Sequence, residues 1–338
     1  MHNTFGNKIQ LTLQGASHEP FIGGIIKGLP AGKKLDMDRI RLEMVRRAPG
    51  AAPWSTARHE TDEVEVISGL QDGCTTGEDL VFRIANNDVR RGDYEKMQNI
   101  PRPGHADYPA FVRYGKIETG GGIFSGRMTA VLTFAGAVAK EYLYDKKISI
   151  KGHIASIGKE SFACPKEQVD VEIAAMILAA KSRKDSLGGI IQCVATGLPV
   201  GLGEPFFDSV ESRLSHLLFS IPAVKAVEFG DGFALSGMLG SEANDALSYV
   251  EGRLQLQSNH NGGINGGLTN GMPLVFRVGI KPTPSIGLEQ DSVNLVTKEN
   301  VKLAVRGRHD PCIVPRALPV VEAATALVLL DFLLEAKL

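Results

Sequence analysis

Gly23-Gly-Ile-Ile-Lys-Gly-Leu-Pro-Ala-Gly32 returns, with an insertion, as Gly188-Gly-Ile-Ile-Gln-Cys-Val-Ala-Thr-Gly-Leu-Pro-Val-Gly201. Each copy is an apolar run closed by Gly-Leu-Pro, the composition of a strand ending in a turn. A helical pattern follows each: residues 36–47, which open with acids and close with bases as a helix dipole favours, and residues 208–219. Strand patterns come next, at 63–68 and 224–229. The order strand, turn, helix, strand thus occurs twice, which predicts a chain built about a pseudo-twofold axis. The helical segment 170–182 joins the halves, and no linker rich in serine or proline separates them. The expectation is an α+β fold of layered helices and mainly antiparallel sheets, forming a single domain over residues 1–338.

Outward from these repeats, alternation predicts strands at 8–14 and 21–28 with Gly15-Ala-Ser-His-Glu19 turning between them, so His18 falls at a strand end. Further strands are expected at 80–85 and 274–280, and an ordered loop over 50–61 carries the only tryptophan. Residues 86–117 read as a long basic loop bearing tyrosines, and a loop of that length in a compact domain is more often functional than idle. Three glycines at 120–122 precede Ser125, an expected N-cap, and apolar residues then recur at helical spacing to 144. A glycine-rich turn opening a helix presents free N–H groups and a positive dipole end to an anion, and Arg127 one turn in strengthens that reading. The apolar run 317–334 barely reaches membrane-spanning length and is interrupted by Pro319, Glu322 and Asp331, so a buried helix is expected.

With 37 lysines and arginines against 38 aspartates and glutamates, no global field draws the chain to nucleic acid or membrane, and any anion site must be local. Cys74, Cys164, Cys193 and Cys312 lack paired ligand spacing, which predicts reduced thiols in a cytoplasmic protein without a structural metal. The segment Met1-His-Asn-Thr-Phe-Gly has no apolar signal core, so export is not expected. Four polar knots, at 15–19, 102–107, 119–127 and 306–312, are expected to line one anion-binding pocket. Lys281-Pro-Thr-Pro-Ser285 adds a lysine and two hydroxyls at a strand end, a reasonable phosphate clamp.

The motifs Arg46-Arg-Ala-Pro-Gly50, Arg102-Pro-Gly-His-Ala-Asp-Tyr108, Gly120-Gly-Gly-Ile-Phe-Ser-Gly-Arg127, Gly201-Leu-Gly-Glu-Pro205, Ser220-Ile-Pro-Ala-Val-Lys225, Ser258-Asn-His260, Lys281 to Ser285 and Arg308-His-Asp-Pro-Cys312 stand in an order that resembles the chorismate synthase family over nearly the whole chain. The resemblance implies a β-α-β layered sandwich, helices between antiparallel sheets, and a homotetramer. It implies a lyase of the shikimate pathway that eliminates phosphate from 5-enolpyruvylshikimate 3-phosphate and needs reduced FMN, with NADPH as a reductant in some members. It implies catalytic roles for His18, His105, Asp310, Ser17 and Ser125, and substrate anion contacts from Arg47, Arg102, Arg127 and Arg308. For the flavin it implies Ile123, Phe124, Ser125, Glu242, Ala243, Gly266, Lys281, Pro282, Thr283, Pro284, Ser285 and Arg308. The family usually writes Gly-Glu-Ser-His-Gly where this chain has Ala16 and Glu19, and its usual residues differ from Pro53, Ile123 and Met128. A reading of another class is therefore a binding protein that keeps the anion pocket without turnover, and a third is a different phosphate-ester lyase or transferase.

Overall fold

The two Gly-Gly-Ile-Ile stretches occupy equivalent places in the computed structural model, which describes residues 3–50, 52–55, 60–87, 99–305 and 309–336. The first half runs β1 (Thr4–Phe5), β2 (Gln10–Gly15), β3 (Phe21–Lys27), α1 (Met37–Arg47), β4 (Val64–Ser68), the small β5–β6 hairpin (Leu70–Gln71, Cys74–Thr75), β7 (Leu80–Ala85), α2 (Asp107–Tyr114) and α3 (Thr129–Asp145). The second runs β8 (Ser149–Ile157), β9 (Glu160–Lys166), α4 (Val171–Ser182), β10 (Gly189–Thr196), α5 (Val210–Leu218), β11 (Val224–Phe229), α6 (Gly240–Ala243), and the hairpins β12–β13 (Leu247–Val250, Arg253–Leu256) and β14–β15 (Ile264–Asn265, Leu268–Thr269). It ends with β16 (Leu274–Ile280), the β17–β18 hairpin (Gln290–Val293, Asn300–Leu303) and α7 (Val314–Glu335).

One antiparallel sheet has the order β1-β2-β3-β7-β4 and the other β9-β8-β10-β16-β11, so β3 and β10 are the two central strands. The connections repeat as well: β2, β3, α1, β4, β7, α3 correspond to β8, β10, α5, β11, β16, α7, with β9 and α4 added. The repeated Gly-Leu-Pro has a common backbone reason. Gly28 and Gly197 sit at φ +82° and +81°, and a Cβ on either would strike the carbonyl of a neighbouring segment, Lys8 or Lys147.

Between the sheets, α3 packs on β3 and β7, α7 packs on β8 and β10, and the two helices pack on one another. Both are apolar around most of their circumference, as central-layer helices must be. Gly136 lets them approach closely, since a Cβ there would overlap the backbone of Ala323. Buried Leu80, Phe82, Phe134, Phe276 and Phe332 fill this layer, each worth about 1.5–3 kcal/mol of transfer free energy. α7 is long and apolar enough to cross a membrane, but 89% of its most apolar window is buried against the rest of the chain. Two of its three carboxylates are bound inside. Glu322 accepts from Arg46, Lys140 and the Gly152 N–H, and Asp331 accepts from the N–H groups of Asn7, Lys8 and Ile9 and from Arg213.

Two local expectations need correction. The stretch 86–117 contains α2, which periodicity missed because Tyr108, Val112 and Tyr114 are exposed and only Asp107 and Ala110 are buried, leaving no apolar stripe. The helix expected from 125 begins at Thr129. Ser125 caps a short 3₁₀ turn, accepting from the Arg127 N–H at 3.3 Å, because the preceding glycines adopt φ values of +59°, +88° and +51° that cannot continue a helix.

Candidate active site

A cleft of about 560 Å³ opens where the end of α1, the starts of α3 and α7, the α5–β11 turn and the segment after β16 meet. It brings together parts of three of the four polar knots predicted from the sequence; the knot at 15–19 is not in the lining and meets it only through Gly120, against which His18 and Ser17 pack. Among the described residues, six cationic side chains line it, Arg47, Arg102, Arg127, Lys225, Lys281 and Arg316, against the carboxylates Glu60 and Asp310. Such a lining suits a ligand carrying several negative charges.

The turn at Gly120 to Gly122 is wedged between two histidines. The His18 ring lies where a Gly120 Cβ would stand, and the His105 ring is 3.3 Å from the corresponding position on Gly121. Only glycine permits both the positive φ values and these approaches. On the far side, buried Ser17 contacts His18 Nδ1 at 3.1 Å through its hydroxyl and donates weakly to the Gly120 carbonyl at 3.4 Å. The histidine loop and the triglycine turn are thus one packed unit, with Gly120, Ile123, Phe124 and Ser125 forming part of the cleft wall.

His105 is held from the side opposite the glycines. Its Nδ1 is 2.7 Å from Asp107 Oδ1, and Arg102 donates to both Asp107 oxygens through Nε, Nη2 and its backbone N–H. Burial would raise the Asp107 carboxyl, but hydrogen bonds from Arg102 and His105 outweigh it and hold the group well below the usual carboxylate range. An ionised carboxylate only accepts, so Nδ1 carries the proton and Nε2 is the atom left to face a ligand.

Arg47 and Arg127, both buried, share Asp62: Arg47 donates to it at 2.5 Å, Arg127 pairs with its other oxygen, and Arg127 also meets Glu60 at 2.8 Å. Burial alone would raise the Asp62 carboxyl, yet the two guanidinium groups keep it lowered. Arg316, which no sequence motif singled out, donates to the Arg47 carbonyl at 3.0 Å and pairs with Asp310. Its signal was a lone arginine in the first turn of an otherwise apolar helix. Asp62, Asn86 and Asp107 were also missed as individual residues, although Asp107 lies inside a quoted motif.

At the other end of the cleft, Lys281 donates to the Gly104 carbonyl and Arg102 Nη1 reaches Ser285 Oγ at 3.4 Å. Among the described residues, Thr283 Oγ1 is buried without a hydrogen-bond partner although it lines the cleft. A lysine and two hydroxyls, one of them the orphaned Thr283 Oγ1, are what a phosphate-bearing cofactor such as FMN would use, and the cleft volume falls in the usual small-ligand range. Pro284 is also in the lining, whereas Glu242, Ala243 and Gly266 are on α6 and the β14–β15 hairpin, outside it. Arg308 lies outside the described residues, as does His59, which matched no motif. His153 and His216, likewise without a motif, sit on β8 and α5 away from the cleft.

The family profile described as chorismate synthase matches residues 9–334. Proteins named chorismate synthase from Dehalococcoides mccartyi, Porphyromonas gingivalis and Thermococcus gammatolerans are 42%, 44% and 43% identical, covering 99%, 99% and 98% of this chain and 98%, 96% and 98% of their own lengths. A crystal structure of chorismate synthase superposes with a TM-score of 0.76 at 27% identity, covering 98% of this chain and 93% of that one.

Proposed function

The chain belongs to the chorismate synthase family, and on that premise we propose that it forms chorismate by trans-1,4 elimination of phosphate from 5-enolpyruvylshikimate 3-phosphate, as a carbon–oxygen lyase in aromatic amino-acid biosynthesis. The observation that carries this reading is the triglycine turn in the wall of a cation-lined cleft, which packs against His18 through Gly120 and against His105, itself in the lining, through Gly121.

The substrate bears a phosphate and two carboxylates, which Arg47, Arg102, Arg127 and Lys225 would neutralise from the cleft wall. Because Asp62 and Asp107 already fix three of these guanidinium groups, they are preorganised and lose little freedom on binding. The elimination breaks a carbon–oxygen bond and removes a proton at the far end of the allylic system. His18, positioned by Ser17 and Gly120, would donate a proton or positive charge to the departing phosphate. Asp310, which lines the cleft and is held by Arg316, would take part in proton removal. Bound reduced FMN would lend electron density to the reacting system without net oxidation. Lys281, Thr283 and Ser285 would hold its phosphate, Ile123, Phe124 and Ser125 would flank it, and His105 would present Nε2 to it. Ser125 additionally fixes the Arg127 N–H.

We further infer a cytoplasmic homotetramer acting without nucleic acid or membrane. Exposed Phe206, Phe207, Phe233 and Tyr249 support self-association, which light scattering would measure. The decisive assay is anaerobic phosphate release with chemically reduced FMN and the substrate, with and without NADPH. Release in the arm without NADPH establishes the lyase; no release in either arm sinks the proposal.

A further inference from the structure

We propose that Asn86 is the positioning residue for His18, and that it holds the turn carrying His18 by its backbone rather than by its side chains. This rests on the reading of His18 as the group that faces the leaving phosphate. Asn86 follows β7 directly, and its side-chain amide bridges two parts of the site. Its Oδ1 accepts from Arg127 Nε at 2.9 Å, and its Nδ2 donates to the Glu19 carbonyl at 2.8 Å and the Ala16 carbonyl at 3.2 Å. Its backbone N–H donates to the Pro20 carbonyl at 3.0 Å. The amide orientation is fixed by chemistry, because a guanidinium only donates and carbonyls only accept.

The turn that carries Ser17 and His18 is therefore clamped at both ends, at residues 16 and 19, by one side chain whose other end is anchored to the Arg127–Asp62 ion pair. The clamp also explains how this chain carries Ala16 and Glu19. Both contacts are to main-chain oxygens, which any residue supplies, and the Glu19 side chain points to solvent. The position of His18 is thus set independently of the two side chains that differ from the usual family motif.

Three variants test this: Asn86→Ala, Asn86→Asp, and the double reversion Ala16→Glu with Glu19→Gly. Asn86→Asp keeps the acceptor for Arg127 but sets a carboxylate oxygen against two carbonyls, so it breaks only the loop half of the bridge. Each is assayed for kcat and KM by anaerobic phosphate release, and, without substrate, for the imidazole signal of His18 by NMR, assigned with His18→Gln. Misplacing a reacting group costs up to about 100-fold, so both Asn86 variants should lose roughly 10- to 100-fold in kcat with KM within about threefold, and the His18 signal should shift. The double reversion should stay within about twofold of the parent. Parent-like kcat with an unmoved His18 signal in either folded Asn86 variant overturns the proposal, as does a gain of about tenfold or more in the reversion, which decides the matter if neither Asn86 variant folds. A parent protein that releases no phosphate refutes the lyase reading instead, and the NMR comparison still judges the clamp.

Discussion

Asp107 holds His105 at 2.7 Å from its Nδ1 while Arg102 saturates the same carboxylate, so one ion pair sets the tautomer of the histidine that faces the cleft. An asparagine at 107 could present either its oxygen or its amide to Nδ1, so the tautomer would no longer be fixed. Asp107→Asn should therefore populate both neutral tautomers of His105, read from imidazole ¹⁵N shifts, and should lower kcat by about tenfold or more. A single unchanged tautomer with parent-like kcat would show that the Asp107 carboxylate does not set it.

Gly120 is the narrowest point of the site. A methyl group there would occupy the space of the His18 ring at a φ of +59°, whereas one on Gly126 would meet nothing within 4 Å. Gly120→Ala should cost about 1–2 kcal/mol of stability from backbone strain, and displacement of His18 should lower kcat by roughly 100-fold. Gly126→Ala, on the same stretch, should leave both nearly unchanged. Equal activity in the two variants would argue against His18 as a participant in the chemistry.

The motif glycines were legible because backbone geometry writes itself into composition: Gly28 and Gly197 recur, and Gly120 to Gly122 cluster, where no other residue fits. The fold followed from the same repeat, since an apolar run with Gly-Leu-Pro marks the central strand of each sheet. What stayed hidden were partnerships between distant segments. Asp62 reaches Arg47 and Arg127 from positions 15 and 65 residues away, and nothing in the loop around Asp62 announces two guanidinium partners. Asn86 and Arg316 were invisible for the same reason: each looks like an ordinary polar residue at the end of an element until the sheets and central helices bring its partners to it. The short helix α2 escaped because its tyrosines face outward, so its period carries no apolar signal.

Glu322 ties stability to acid pH. Burial pushes its carboxyl up, but hydrogen bonds from Arg46 and the charges of Arg46 and Lys140 bring it down from 4.5 to about 2. A folded-state value below the unfolded one stabilises above the unfolded pKa, and the contribution is lost as pH falls through the folded one. That is worth about 3 kcal/mol at neutral pH, fading between about pH 4.5 and pH 2. Glu322→Gln should be destabilised by about 3 kcal/mol at pH 7, the linkage it gives up, with Arg46 and Lys140 left to Glu43 as their shared ionic partner. Its denaturation midpoint should also depend less on pH than the parent's. Parallel pH profiles for parent and variant would show that this carboxylate carries no linkage.

Thr283 separates a ligand contact from a packing role. Its Oγ1 is buried without a partner among the described residues, at the cleft edge shared with Lys281 and Ser285. A buried hydroxyl that bonds nothing costs about 1–3 kcal/mol, so replacing it with the isosteric methyl of valine should raise the melting temperature of the flavin-free protein. If the hydroxyl is instead kept for a cofactor phosphate, the same change should weaken FMN binding by roughly tenfold, the loss of one charge-assisted hydrogen bond. Thr283→Ser should restore the affinity while giving up the packing of one methyl. The two effects of Thr283→Val have opposite signs, so calorimetry on the flavin-free protein and fluorescence titration with FMN together tell the two roles apart. Higher melting temperature with unchanged FMN affinity would assign the hydroxyl no part in binding the flavin, and would move the phosphate site toward Lys281 and the Arg102 end of the cleft.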